Sequence, residues 1–401
     1  MASVFQYFAP TKLVFGPGSL SRLGGQALPR TRALIVTTGG TSVKANGSLA
    51  RVETELDRAG VSYVLFDRIE PNPLRATVNE GGWLARREGC DFVVALGGGS
   101  VMDGSKAICV MATNPSHDAD GAEVPGDIWD YMNGGTARSL AIPCDPLPLV
   151  CIPTTAGTGS EVDAGGIVSC EETDEKLRLG DPRLFPRLSI VDPELMLTVP
   201  QRLTAYQGFD ALFHSIECFI SSTHTLMGDM ICREGVRTAA KALPRAVAAG
   251  DDLEARTQMA WASTLGGYAM CASGTTGSHA TEHAMSAHHH ALPHGAGLIM
   301  ICLAYHRHMI EAHVCDERYV ELACLLGDER ANAPEDFLLA MERLLRECGM
   351  AELKMSDWGL VPEEFEAIAA NALSTTKVLF DHDPAPLTQE DVVAILQESY
   401  R

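Results

Sequence analysis

The chain is 401 residues long, with 46% hydrophobic and 21% charged residues and a formal net charge of −21. That length makes about two to three domain-sized units with large cores. The acidic balance argues against nucleic acid and anionic membrane as partners, since both reward Lys and Arg, and no apolar run reaches the ~18 residues of a membrane span.

The N-terminal stretch Met1 to Gln6 lacks a basic region followed by an apolar core, so no secretory signal is read there. Twelve cysteines lie scattered without a CxxC pair, which reads as reduced thiols in a cytoplasmic protein. Cys109, Cys218 and Cys302 fall in apolar periodic segments and are expected in cores.

In chain order, residues 4–15 place aromatic and β-branched residues around Pro10, which predicts a short hairpin. Gly16-Pro17-Gly18 stops it and offers Ser19 as a helix N-cap. Apolar runs at Arg32 to Thr37, Ser62 to Asp67 and Asp91 to Leu96 alternate with helical patterns at Ser48 to Ala59 and Ala76 to Glu88. Strand starts about 30 residues apart with helices between them read as βαβ units and a parallel sheet. Ligands of such sheets bind beyond the carboxyl ends of the strands.

Two turns lie at such ends. Gly97-Gly98-Gly99-Ser100 runs into a helical segment containing Asp103 and Lys106, and consecutive glycines let backbone N–H groups approach a phosphate. The third position of a GxGxxG fingerprint holds Met102, so a plain tight turn is the competing reading. After an acidic, Pro- and Gly-rich loop at about 114–146, the strand Pro148 to Ile152 ends in Pro153-Thr154-Thr155-Ala156-Gly157-Thr158-Gly159-Ser160-Glu161. Its hydroxyls and N–H groups suit an anion; an irregular Ser/Thr turn is the alternative. Two such loops on one sheet favour a nucleotide. Short strands at Gly166 to Ser169 and Leu188 to Val191 close this half.

Beyond about 195, helical spacing recurs at 204–221, 226–243, 255–272, 279–287, 295–310 and 317–326, then at 335–348, 362–372 and 388–399. The expected architecture is an α/β dinucleotide-binding domain with a parallel sheet over 1–195, then an all-α metal-binding domain over 196–401.

The histidines are concentrated in that second half. Residues 278–295 hold six of thirteen. Asp210 and His214 stand four apart on one predicted helix, His279 and His283 repeat that spacing on another, and a loop bearing Pro293 and Gly295 returns His294. Neutral imidazoles with one carboxylate suit a borderline divalent ion such as Zn or Fe(II). The plain alternatives are a half-buried polar pair for Asp210 and His214, which leaves a carboxylate needing a partner, and a solvated tract for His288-His289-His290.

These motifs, in this order and spacing, resemble the iron-containing, or type III, alcohol dehydrogenases over nearly the whole chain. The resemblance implies a cleft between a nucleotide domain and a helical metal domain, and transfer of a hydride between NAD or NADP and a small alcohol/aldehyde pair. It implies Fe2+, with Zn2+ possible, on Asp210, His214, His279 and His294. His283 would lie beside the metal in the proton path, and the cofactor would contact Asn72, Gly98, Gly99, Ser100, Asp103, Thr154, Thr155, Thr158 and Lys176. A homodimer is also implied.

Two positions depart from the pattern. Where relatives often carry Asp after the first strand, this chain has Thr38-Gly39-Gly40-Thr41-Ser42 with Lys44 nearby, so a 2′-phosphate is admissible beside Thr38. Where they often show Asn-Pro-Arg, it reads Asp383-Pro384-Ala385-Pro386. Three rival readings stand beside the dehydrogenase. One is a metallopeptidase, because His279-Ala280-Thr281-Glu282-His283 fits H-x-x-E-H with Glu282 as base. The others are a zinc-dependent glycerol-dehydrogenase-like polyol oxidation and a catalytically silent binding protein.

Overall fold

The computed structural model describes residues 4–401. By internal contacts the chain forms two units: one of Ala9–Thr155 with Ser160–Thr198, and one of Val199–Arg401 with Ala156–Gly159 and the N-terminal residues through Phe8.

The first unit opens with β1 (Lys12–Phe15), β2 (Arg32–Thr38), α1 (Ser42–Ala45), α2 (Ser48–Arg58), β3 (Ser62–Ile69), α3 (Arg75–Arg87), β4 (Phe92–Gly97) and α4 (Gly99–Thr113). It continues through β5 (Ser116–His117), β6 (Glu123–Val124), β7 (Leu149–Pro153), β8 (Gly165–Cys170), β9 (Glu175–Gly180) and β10 (Leu188–Val191). Six strands make one sheet in the order β1-β10-β7-β4-β2-β3, every pair parallel.

The sheet is buried on both faces, as parallel strands covered by helices are. On β2, Leu34 and Val36 enter one core with α3 and α4, while Ala33 and Ile35 enter the other with α2. Chain order reverses at β2: β3 adds on one side and β4 on the other. The crevice beyond the ends of β2 and β4 is therefore the switch point at which open α/β sheets bind ligands.

Two local expectations are corrected. No hairpin forms over 4–15, because β1 pairs in parallel with β10, far along the chain. Ser19 is not an N-cap: it begins a short 3₁₀ turn after left-handed Gly18 and donates its hydroxyl to the Val191 carbonyl. Asp192 instead accepts the N–H groups of Gly18 and Leu20 at 3.0 and 3.1 Å. β8 does not join the main sheet but pairs antiparallel with β9, a strand whose Glu-Lys-Leu-Arg sequence gave no apolar signal. Within the 114–146 loop, Ile128, Trp129 and Met132 are buried in the core beneath α3 and α4.

The second unit is helical: α5 (Gln201–Ile220), α6 (Leu226–Ala248), α7 (Leu253–Ala272), α8 (Gly277–His288), α9 (His294–Glu311), α10 (Asp316–Leu325), α11 (Asp336–Glu347), α12 (Phe365–Thr375), α13 (Lys377–Phe380) and α14 (Gln389–Ser399). α5 is the central element. From Thr204 to Ile220 every residue but Gln207 is buried, the mark of a helix enclosed on all sides. No helix among the described residues is long and apolar enough to cross a membrane.

The α3–α4 packing is set by Gly82, where a Cβ would overlap that of Met111 and lie 3.1 Å from the Ala112 backbone nitrogen. Gly82→Ala should therefore cost about 1–3 kcal/mol by overpacking, read as a fall in the urea midpoint. The rise that Gly→Ala brings in an unhindered helix would contradict this packing.

Candidate active site

α5, α8 and α9 bring Asp210, His279 and His294 together, with one donor atom from each lying within 4.8 Å of the others. Asp210 Oδ1 is 3.6 Å from His279 Nε2, 3.4 Å from His294 Nε2 and 3.6 Å from His214 Nδ1. His214 lies outside the tightest donor group, though its ring centroid is 4.7 Å from that of His279. His283 falls in a different group, with Glu282 and His294, its ring centroid 5.5 Å from that of His294.

A second ring of carboxylates orients these imidazoles. His279 Nδ1 meets Glu217 Oε1 at 2.7 Å, and the other Glu217 oxygen accepts the N–H and hydroxyl of Thr276, each at 2.8 Å. His294 Nδ1 meets Glu282 Oε2. Each Nδ1–H is thereby held by a carboxylate, which turns Nε2 toward Asp210, where it can donate a lone pair once it carries no proton, the arrangement usual for metal-binding histidines.

The electrostatics call for a cation. Asp210, Glu217 and Glu282 are 4%, 0% and 0% exposed, and the ion-pair partners found for them are imidazoles. Burial works against charge on His279, yet Glu217 and Asp210 outweigh it and raise the imidazole to about 10. Burial would likewise push the Asp210 carboxyl up, but His214, His279 and His294 hold it well below its ordinary value. Asp210 Oδ1, His214 Nδ1 and His279 Nε2 are buried without a hydrogen-bond partner. Buried polar atoms are seldom left so. A borderline divalent ion accepting these donors fits both the vacant lone pairs and the charge.

The expectation that His294 returns on a loop is corrected: it is the first residue of α9, with Pro293 before it. Gly295 makes that placement possible, because a Cβ there would run into the backbone of Tyr206 on α5. The metallopeptidase reading fails on geometry. Glu282, its required base, is fully buried and bonded to His294, and His279 and His283 fall in different donor groups.

In the sheet unit, Thr38, Asn72, Gly98, Gly99, Ser100, Thr154 and Thr155 all lie at the carboxyl ends of β2, β3, β4 and β7. Asn72 is in the left-handed region (φ 56°) and donates its N–H to Ser100 Oγ at 3.2 Å. A Cβ on Gly98 would stand 2.9 Å from Thr155 Oγ1, so bare backbone is required there. Thr38 Oγ1 accepts the Gly40 N–H at 3.1 Å, and Lys44 is paired with Asp67 on β3. Asp103 turns inward: its oxygens take the Ser160 hydroxyl at 2.7 Å and the Ile167 N–H at 3.0 Å. Lys176 lies on β9 with little exposure. Thr158 belongs with the helical unit, where neighbouring Gly157 would place a Cβ 3.1 Å from Asp210 Oδ2.

Comparison with known proteins decides the family. The model for iron-containing alcohol dehydrogenases matches residues 10–193, and that for the C-terminal part of the Fe-containing alcohol dehydrogenase family matches residues 204–400. The chain belongs to the iron-containing alcohol dehydrogenase family. The chain is 31% identical to a probable NADH-dependent butanol dehydrogenase of Bacillus subtilis, over 98% of this chain and 99% of that one. It is equally 31% identical to a 1,3-propanediol dehydrogenase of Klebsiella pneumoniae, over 99% of each chain. An archaeal alcohol dehydrogenase from a Red Sea brine pool, solved with NZQ bound, superposes with a TM-score of 0.92 at 31% identity and full coverage of both chains.

Sequence reasoning missed the orienting roles of Glu217, Thr276 and Glu282. Glu217 had a readable signal, because Asp210, His214 and Glu217 follow the i, i+4, i+7 spacing of one helix face. Lys106 proves to be internal. It is fully buried, and its Nζ meets Ser160 O, Ser160 Oγ and Asp163 Oδ1 at 2.8, 2.7 and 2.8 Å. Burial pushes the Asp103 carboxyl up to about 6 against the opposing pull of Lys106. Lys106→Met should cost about 3–5 kcal/mol in a denaturation experiment, because it leaves Asp163 and Asp103 without their cation. A loss below about 1 kcal/mol, the size expected of an exposed pair, would show that this tie is not what holds the 160–167 loop to α4.

Proposed function

We propose that this chain reduces small aliphatic aldehydes, and oxidises the corresponding alcohols, with NADH or NADPH and a divalent ion on Asp210, His214, His279 and His294. The observation that carries this reading is the convergence of buried, unpartnered Asp210 Oδ1 and His279 Nε2 with His294 at one point. When bound, the ion would act as a Lewis acid on the substrate oxygen.

The chain's residues supply the rest. Glu217 and Glu282 fix the tautomers of His279 and His294. To His283, which lies beside His294 and outside the group of Asp210, His279 and His294, we assign the taking or giving of the alcohol proton. The turn after β4 and the first N–H groups of α4 would receive the pyrophosphate, with Asn72, Thr154, Thr155, Thr158 and Lys176 completing the cofactor contacts and Asp103 holding the turn from within. Fe2+ is the ion we expect, since the family carries its name. The names of the butanol and propanediol relatives support a short, uncharged substrate. We also infer a homodimer in the cytoplasm: β1 is an edge strand, and Val4, Phe5 and Phe8 are exposed apolar residues just before it.

One experiment tests the site and the reaction together. Metal-loaded protein should consume NADH or NADPH with a panel of C2–C5 aldehydes, followed by loss of the reduced nicotinamide absorbance. Asp210→Ala, His214→Ala, His279→Ala and His294→Ala should each lose bound metal along with rate, whereas His283→Ala should keep its metal and lose about 10²-fold or more in rate. Because His279 holds a proton at neutral pH in the metal-free protein, metal uptake should release protons and tighten as pH rises. A metal-free His283→Ala beside a metal-replete His279→Ala would exchange their roles.

Cofactor choice turns on Thr38. The Thr38 to Ser42 turn carries no acid, and the nearby Asp67 carboxylate is matched by Lys44, so NADPH should bind at least as well as NADH. Thr38→Asp should shift the kcat/KM ratio toward NADH by about tenfold, through repulsion of a 2′-phosphate. An unchanged ratio would place the adenosine ribose elsewhere.

A further inference from the structure

Asp383 stands where the resemblance anticipates an Asn, in a segment that none of the chemistry above uses. Its carboxylate is 5% exposed and sits at the start of α8. Oδ1 accepts the Gly277 N–H at 3.0 Å and also the Tyr305 hydroxyl from α9. The preceding Thr276 N–H goes to Glu217 on α5. Two consecutive N–H groups at the head of α8 are thus taken by carboxylates from outside the helix, one on α5 and one bonded to α9.

α8 has no cap of its own. Thr276 makes no side-chain capping bond, and the first turn contains no acidic residue, so its free N–H groups depend on these remote acceptors. The residues around Asp383 extend the clamp. His382 Nδ1 meets the Thr275 carbonyl at 3.0 Å, and the His382 carbonyl accepts the Ser222 N–H, just past the end of α5, at 2.8 Å. His279 lies two residues beyond Gly277, and His294 opens the helix that bears Tyr305.

We infer that Asp383 is a positioning residue for the metal centre, acting as a hydrogen-bond acceptor that locks the head of α8 to α9 and so fixes His279 relative to His294. Acceptance, not charge, is what the position supplies. Burial pushes the carboxyl up to about 7 even with both donors present, and its second oxygen is buried without a partner. An amide oxygen would serve the same two donors.

This inference rests on the metal reading of Asp210, His279 and His294, and the test separates the two. Full-length protein is loaded with Zn2+, and the rate of its release to a chromogenic chelator is measured alongside circular dichroism of each variant. Asp383→Ala should release Zn2+ about tenfold faster than wild type, while Asp383→Asn should stay close to wild type. Tyr305→Phe, which keeps the ring and removes one donor, should fall between them. Release from Asp383→Ala at the wild-type rate overturns the inference, as does Asp383→Asn releasing as fast as Asp383→Ala. If Asp383→Ala does not fold, Tyr305→Phe decides, and a wild-type release rate there overturns the lock. Wild-type protein that takes up no Zn2+ overturns the metal reading itself, and the inference with it.

Discussion

Burying carboxylates among helices is the constraint on which the helical unit depends. Asp210 and Glu217 lie on α5 and Glu282 on α8, all removed from water. An ionised carboxylate in such surroundings costs several kcal/mol unless partners answer it. The partners found are imidazoles from α5, α8 and α9, so three helices are drawn to one point by electrostatics as well as by apolar packing. The same atoms crowd into one small space, where Asp210 Oδ1 is 3.6 and 3.4 Å from the Nε2 atoms of His279 and His294.

The sheet unit solves a different problem with different means. Its strands are apolar on both faces, which leaves polar chemistry only at their ends. At the reversal of chain order around β2, the turns after β2 and β4 flank one crevice. Gly98 keeps backbone N–H groups open there, and Thr155 supplies a hydroxyl beside them. Asp103 and Lys106, although part of the same motif, are occupied within the protein, tying α4 to the 160–167 loop. A motif residue can thus serve a nucleotide site by holding its frame.

The two units share one way of terminating their backbones. Asp192 accepts the N–H groups of Gly18 and Leu20 from far along the chain, as Asp383 does for Gly277. Local capping residues are absent at both places. Distant carboxylates do the work, so the ends of these elements are fixed only when the whole unit has assembled.

Periodicity and spacing alone determined the division into an α/β half and a helical half, the positions of nearly all the long helices, and the candidate donors Asp210, His214, His279, His283 and His294; the choice of four among them came from the family resemblance. Those features are local, set by side-chain alternation and by residues one helical turn apart. Tertiary structure decided what depends on residues far apart in sequence. It showed β1 pairing with β10 instead of folding on itself, β9 forming from a polar stretch because β8 offered it an edge, and His294 starting a helix because Gly295 lets α9 meet α5. It also distinguished His279 from His283. Both lie on one face of α8, and only the approach of α5 and α9 settles which of them meets Asp210. Asp383 makes the same point: nothing in Asp-Pro-Ala-Pro reveals a helix cap, because the N–H it accepts belongs to a turn more than a hundred residues earlier.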